Sequence, residues 1–406
     1  MFLDSGNNTE CFGCEACAQI CSRAAIKMIE DNEGFRYPVI DKTLCVNCGL
    51  CRKICPNDSL PVKFIHDKYA FGGYHKSDEI RFESTSGGAF SAIVDAFCDE
   101  NYVIFGAEAN GLQVFHNYIF NKEDLGKFRK SKYSQSIIGT SYKDTKRFLL
   151  EGKKVLFSGT PCQIAGLLKY IGNTPQDNLL TVEVICEGVP SPHYIRKLDN
   201  HILTKYGSNI ETIDYRYTGQ SCFRHGKWDF EIMRITLADN KKVIIKDRWF
   251  NPFWSIWLNH LMSRPSCYHC QFTTIGRVSD ITLGDLWGVH LYCPELYGHN
   301  GGSSLVVCNT EKGKSVFNDA QVNMYGHELL FEDALKYQSP MRKTISENSN
   351  RAAFLKDLTG DMSFNEINKK WAHKPTIKLL YQKYIWGNRQ KVFILNLKHR
   401  SETKKG

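Results

Sequence analysis

Apolar and polar positions change rhythm three times along the chain. Residues 24–41, "AAIKMIEDNEGFRYPVID", alternate around a polar turn and predict a two-stranded hairpin with one apolar side. From about residue 84 the rhythm becomes strand, glycine turn, helix. "TSGGAFSAIVDAFCDEN" sets Phe90, Ile93, Val94 and Phe97 on one helical face, and "YVIFGAE" follows as a short buried strand. "KKVLFSGTPCQIAGLLKYIG" repeats the order and "LLTVEVICEGVPSP" adds another apolar strand, so an α/β body with a largely parallel sheet is expected. Residues 209–246 read instead as antiparallel strands with a turn at "ADNKK". Trp249, Trp254 and Trp257 in "RWFNPFWSIWLNHLM" make a spaced stripe expected to pack a helix into the core. Near the end, "PTIKLLYQKYIWGNRQKVFILNLKHR" mixes apolar and basic residues at near-helical spacing around Gly387. Docking of its apolar side on the body is the favoured reading, with contact to an anionic membrane surface as the alternative. The last stretch, "SETKKG", is expected to be disordered.

The predicted hairpin lies between two cysteine runs of identical spacing. Each reads C-x2-C-x2-C-x3-C, as Cys11, Cys14, Cys17, Cys21 and then Cys45, Cys48, Cys51, Cys55, the second followed by Pro56. No apolar run reaches the roughly 18 residues that span a bilayer, and "MFLDSGNNTE" lacks the features of a signal peptide. A cytoplasmic location is therefore expected, where thiols stay reduced and bind metal or do redox work. The x2 spacing lets a tight loop aim three thiolates at one cubane, while the fourth thiol, one helical turn on, faces the other cluster. Cys11, Cys14, Cys17 and Cys55 are assigned to one [4Fe-4S] cluster and Cys45, Cys48, Cys51 and Cys21 to a second. Ser22 stands where this pattern usually has Pro, which weakens the turn and not the ligation. Residues 5–60 resemble a two-cluster ferredoxin domain of α+β, ferredoxin-like fold.

Other cysteines fall at strand ends. Cys162 follows "SGTP" in the first turn of a helix, where the dipole favours a thiolate, and Cys186 closes the next strand. If both strands are parallel, their thiols emerge at one sheet edge. "RPSCYHCQF" adds the chelating pair Cys267 and Cys270, with His269 read as a bystander. A third iron–sulfur cluster is the favoured reading of these four. Zinc, free buried cysteines, and a thiol enzyme using Cys162 stay open. Cys98, Cys222, Cys293 and Cys308 are left over, with Cys98 and Cys308 expected in the core. "STSGG" at 84–88 could cradle a nucleotide pyrophosphate at a helix start, or serve as a plain N-cap and turn. Asp280 and Asp285 in "SDITLGDLWG" could orient a cofactor or cap turns, and the second is commoner.

In this order, "STSGGAF", "GTPCQIAGL", "ICEGVPSPH", "RPSCYHCQF" and "SDITLGDLWG" resemble the coenzyme F420 hydrogenase/dehydrogenase beta-subunit family over about residues 66–345. The resemblance implies an FAD-binding flavoprotein that moves electrons between a hydride donor or acceptor at the flavin and one-electron [4Fe-4S] clusters. It makes Ser86, Gly87, Gly88, Lys132, Tyr133 and Ser136 candidates for contacting FAD, and supports a cluster near Cys162, Cys186, Cys267 and Cys270. Archaeal relatives exchange a hydride with a deazaflavin, and similar chains elsewhere accompany cell-surface polysaccharide enzymes. The domains expected are a two-cluster ferredoxin domain over 1–65, an FAD and iron–sulfur domain over 66–345, and a helical basic extension over 346–406. The partner is a redox protein or a soluble hydride carrier, namely deazaflavin, NAD(P)H or ferredoxin. An electron-delivery subunit lacking its own complete active site is the alternative function. Of the formal charge of +9, residues 369–406 carry +10, eleven Lys or Arg against Glu402. The remaining 368 residues sum to −1, which argues against nucleic-acid binding by the body.

Overall fold

A computed structural model of the chain describes residues 1–58, 68–217, 232–245, 251–296, 301–373 and positions 376, 377 and 381. The expected boundary near residue 65, Cys222, Trp249 and nearly all of the basic tail lie outside the described residues.

The hairpin predicted between the cysteine runs is formed by β1 (Ile26–Glu30) and β2 (Arg36–Ile40), paired antiparallel from Ile26↔Ile40 to Glu30↔Arg36. Its turn is fastened by Asp31, whose Oδ1 accepts the N–H groups of Glu33 at 3.0 Å and Phe35 at 2.9 Å. Each cysteine run ends in a short helix, Ala16–Ile20 and Leu50–Lys53.

The body is built on an eight-stranded sheet. Its strands are β3 (Tyr69–His75), β4 (Tyr102–Asn110), β5 (Gln113–Ile119), β6 (Lys154–Gly159), β7 (Leu179–Val184), β11 (Ile281–Asp285), β12 (Ser304–Cys308) and β13 (Met324–Leu329). The order is β13-β3-β12-β11-β7-β6-β4-β5. The four central strands β11, β7, β6 and β4 are mutually parallel, and β3 shares their direction, so five of the eight point one way. The antiparallel edges were not anticipated. β4 runs beyond the expected strand and turns at Gly111 into β5, with Asn110 opposite Gln113.

Both faces of this sheet are covered, which is why its strands read as continuous apolar runs. Helices Ala89–Phe97 and Glu311–Ala320 cover one face, burying Ile93, Val94, Phe97 and Phe317 with Cys98 and Cys308, the two cysteines expected in the core. Helices Ser141–Leu150 and Pro161–Ile171 cover the other, and that core also contains Phe12, Ala16 and Ile54 from the cysteine-rich segment. The segment and the body therefore share one apolar core.

A second sheet, antiparallel as expected, joins β8 (Ile210–Asp214), β9 (Met233–Leu237) and β10 (Lys242–Ile245) in the order β10-β9-β8, with the turn at residues 238–240. It packs with helices Pro192–Tyr206 and Pro252–Leu258, the latter burying Trp254 and Trp257 as the stripe predicted. Helices Arg351–Thr359 and Phe364–Trp371 dock here through Phe354, Leu358 and Ile367, and the Tyr194 hydroxyl donates to Asn368 Oδ1 at 2.8 Å. Among the described residues no helix is long and apolar enough to cross a membrane.

Candidate metal centres

β6 and β7 are parallel neighbours, so their carboxyl ends open at the same edge of the sheet. Beyond β6, Thr160 caps helix Pro161–Ile171 through a reciprocal capping box with Gln163, and Cys162 falls in the helix's first turn. Beyond β7 comes Cys186, whose Sγ accepts the Gly188 N–H at 3.4 Å. The 3₁₀ turn Pro265–His269 brings Cys267, and Cys270 follows it. All four thiols line one cavity of about 410 Å³ with Phe12, Arg264 and other residues. His269 is exposed and absent from the lining.

Burial dominates the chemistry of these thiols. It pushes Cys186 far above the usual thiol range, Cys267 up to about 11 and Cys270 up to about 12, and raises Cys162 as well; mutual repulsion reinforces the rise at Cys186 and Cys270. A buried cation reverses this logic, because a coordinating thiol is deprotonated outright. Four thiols facing one buried cavity therefore suit a soft metal centre better than a lone nucleophile.

The amino-terminal thiols separate into two groups. Burial raises Cys14 and Cys17; Cys17, Cys11 and Cys55 add to the rise at Cys14, and Cys11, Cys55 and then Cys51 of the other group add to it at Cys17. Cys11, Cys14, Cys17 and Cys55 are the four residues assigned to the first cluster. Cys45, Cys48 and Cys51 form the other group, with Cys51 raised by burial and by its two neighbours. Cys48 is exposed, and Cys21 Sγ accepts the Ala25 N–H at 3.3 Å.

Three residues overlooked in the sequence join the first group to the cavity. The buried Arg264 donates through Nε to Cys11 O at 2.8 Å, through Nη1 to Gln135 Oε1 at 3.0 Å and through Nη2 to Arg36 O at 3.0 Å. Its guanidinium lies 4.3 Å from the centroid of the Tyr37 ring. Gly13 has φ +67, and a Cβ there would fall 2.9 Å from Arg264 Nη1. Gly166 lies one turn beyond Cys162 on the same helical face, and a Cβ on it would sit 3.0 Å from Cys14 Cβ and 3.1 Å from its sulfur. Only a glycine admits Cys14 this close, and the glycines in "CFGC" and "IAGLL" were the available signals.

The residues assigned to FAD divide. Ser131 N–H donates to Thr85 Oγ1 at 2.7 Å, which fastens the 84–88 turn to the segment carrying Lys132 and Tyr133. Burial lowers the Lys132 amine to about 8, and its Nζ donates to Arg129 O at 2.7 Å. The Tyr133 ring is packed among Tyr215, Phe253, Trp254 and Trp257. The Ser86 hydroxyl donates to Ser303 O at 2.8 Å and the Gly87 N–H to Ser304 Oγ at 2.9 Å, so both are turned to β12. Gly88, at φ +85, caps helix Ala89–Phe97.

Ser136 belongs elsewhere. Its hydroxyl accepts from Gln163 Nε2 at 2.8 Å and lies 2.8 Å from His116 Nδ1, while Thr160 Oγ1 lies 3.0 Å from Gln163 Oε1 and 3.2 Å from Cys162 Sγ. A hydrogen-bonded chain thus runs from His116 to the thiol. Asp280 knits the sheet instead of facing a cofactor, its Oδ2 accepting the Thr181 N–H at 2.9 Å and hydroxyl at 2.7 Å. Asp285 pairs with the buried Arg216 at 2.7 Å.

Residues 152–328 match the family described as the C terminus of the coenzyme F420 hydrogenase/dehydrogenase beta subunit, and residues 10–59 match the 4Fe-4S dicluster domain. Residues 152–328 therefore carry the C-terminal region of that beta-subunit family, and residues 10–59 carry a 4Fe-4S dicluster domain. Over 173 residues, 41% of this chain, it is 32% identical to the coenzyme F420-dependent sulfite reductase of Methanocaldococcus jannaschii, and that match spans only 26% of the relative. A stretch of 59 residues, 14% of this chain, is 29% identical to an uncharacterized ferredoxin of the same archaeon and covers 75% of it. A chain of the F420-reducing [NiFe] hydrogenase complex from Methanosarcina barkeri superposes with a TM-score of 0.43 at 15% identity, over 76% of this chain and 91% of that one.

Proposed function

We propose that the chain is an iron–sulfur flavoprotein oxidoreductase that passes electrons between a hydride carrier and three [4Fe-4S] centres. The ligand sets are Cys162, Cys186, Cys267 and Cys270 at the sheet edge, Cys11, Cys14, Cys17 and Cys55 beside it, and Cys45, Cys48, Cys51 and Cys21 outermost. Bound clusters supply one-electron transfer, and bound FAD supplies the exchange between a hydride and single electrons.

The observation that carries this reading is the position of Cys14 against Gly166, one helical turn from Cys162. Four residues of helix rise about 6 Å, a separation short enough for the two centres to be neighbours. Arg264 spans the same gap, and Phe12 lines the cavity from the amino-terminal side. The exposed Cys48 makes the third set the exchange point with a redox partner.

FAD is proposed between the 84–88 turn and Lys132, whose amine has a positive charge to offer a pyrophosphate. The hydride carrier is proposed to be a deazaflavin, from the names of the relatives. Reduction of a substrate in cell-surface polysaccharide metabolism is the proposed downstream use. A second reading, an electron-delivery subunit without flavin, draws on the Ser86 hydroxyl and Gly87 N–H being already spent on β12.

Anaerobic purification separates the two. The oxidoreductase should contain about twelve irons, release FAD on denaturation, and have its flavin reduced by one of reduced deazaflavin, NADH, NADPH or reduced ferredoxin. Full iron with no chromophore selects the electron-delivery reading. About eight irons removes the third centre from either reading.

A further inference from the structure

Outside the lining of the thiol cavity, Cys293, Glu295 and His327 meet where the segment after β11 approaches edge strand β13. One ligand atom from each, the Cys293 sulfur, a Glu295 oxygen and a His327 nitrogen, lie within 4.8 Å of one another. Cys293 is buried, and the other two are exposed. The thiol is one of the four cysteines that neither the clusters nor the flavin account for.

The hydrogen bonds of His327 show what the site lacks. Nδ1 lies 2.8 Å from Glu328 O, and a carbonyl oxygen only accepts, so Nδ1 carries hydrogen. Nε2 lies 2.6 Å from Glu295 Oε1. In a neutral imidazole held by Glu328 O, Nε2 is a bare lone pair facing a carboxylate. Something positive must stand there, either a proton on Nε2 or a metal ion. A proton satisfies His327 and Glu295 and leaves the Cys293 thiol as a small apolar member of the core around Leu286 and Leu296, although its sulfur stands beside both groups. A metal ion uses all three groups, and the Nδ1–H bond to a backbone carbonyl is the orientation that supports a metal-bound histidine. Asp333 lies within electrostatic reach of the thiol and adds negative charge.

We propose that Cys293, Glu295 and His327 bind a zinc ion that clips edge strand β13 to the segment following β11. Thiolate, imidazole and carboxylate together favour zinc, whose ligands stand about 2.0–2.3 Å from the ion and hence about 3.5 Å from one another. Reaching that geometry opens the His327–Glu295 contact by about 1 Å and draws the sulfur in. Water completes the tetrahedron. Zn²⁺ displaces the thiol proton, and that of His327 where it is protonated, to solvent; no electron is transferred. The site is independent of the electron-transfer reading, since it shares no residue with the proposed clusters.

Full-length anaerobic protein with its iron centres in place tests this by titration with Co²⁺, followed by Zn²⁺ competition. About one Co²⁺ per chain should bind with a thiolate-to-cobalt band and tetrahedral visible absorption, and Zn²⁺ should displace it. Cys293→Ser should abolish the thiolate band. The exposed changes His327→Gln and Glu295→Gln, which leave the core intact, should each weaken binding about tenfold or more with iron content unchanged. Failure of the native protein to take up Co²⁺, or uptake equally tight in H327Q and E295Q, overturns the site.

Discussion

At the scale of single residues, the cavity is shaped as much by missing side chains as by thiols. Gly188 has φ +98, and a Cβ there would lie 3.2 Å from Cys267 Cβ and 3.4 Å from its sulfur. Gly188→Ala strains the backbone and pushes a proposed ligand aside. Iron should fall from about twelve to about eight per chain, with the magnetic-resonance signals of the amino-terminal clusters unchanged. Undiminished iron would show that an added methyl at 188 does not displace Cys267 from a cluster. His116 makes a different prediction. Burial lowers its imidazole to about 4, against about 6.5 in the unfolded chain, so the unfolded state binds the extra proton between those values. The stability His116 contributes is fully present above pH 6.5 and is lost as pH falls toward 4. Between pH 7 and 5 the loss is about 2 kcal/mol. Denaturant titrations at the two values should show a smaller drop in His116→Gln than in the native chain.

At the scale of elements, helix Pro161–Ile171 connects most of the site. Its capping threonine bonds the helix start and touches the Cys162 sulfur at 3.2 Å, while Gly166 one turn on receives Cys14. Thr160→Ala should cost about 1 kcal/mol through the lost cap, seen as a melting temperature lower by a few degrees. In this structure the Thr160 hydroxyl donates to Gln163 Oε1; beside an ionised ligand sulfur it turns to donate there, so its removal should also lower the reduction potential of the nearby centre, because hydrogen bonds to ligand sulfur stabilise the reduced, more negative state. A redox titration that leaves the potential unmoved would detach the threonine from the centre. The helix also shows which features a sequence can carry. Its cap, its first-turn cysteine and its place after a strand are local, spread over a few adjacent residues, and legible for that reason. The same holds for the two C-x2-C-x2-C-x3-C runs and for the hairpin between them. The turn at 84–88 was harder, because the partners of Ser86 and Gly87 are Ser303 and Ser304, more than 200 positions away. Ser136 was hard to read for the same reason: its place beside Gln163 depends on how the irregular segment before helix Ser141–Leu150 lies against β5 and helix Pro161–Ile171. The edge strands β5 and β13 were missed because their exposed positions blur the apolar run that marks a central strand.

At the scale of the whole molecule, the cysteine-rich segment and the body are held together by a buried cation, and Arg264 is the clearest case of a residue whose meaning exists only in the fold. It satisfies Cys11 O, Arg36 O and Gln135 Oε1, two residues of the cysteine-rich segment and one of the body, and it also lines the cavity. Removing the guanidinium leaves buried acceptors unpaired at about 1–3 kcal/mol each, so Arg264→Met should destabilise the chain by about 3 kcal/mol or more in denaturant titration. It also withdraws a positive charge near Cys11 and Cys162, which should lower the reduction potentials of both adjoining centres. Arg264→Lys discriminates between these effects: it keeps the charge but loses the planar fork that reaches three acceptors at once. Lysine should therefore restore most of the potential and little of the stability. If the methionine variant keeps its iron and native potentials while losing stability, Arg264 is a clamp between the two parts and has no influence on the electrons that pass beside it.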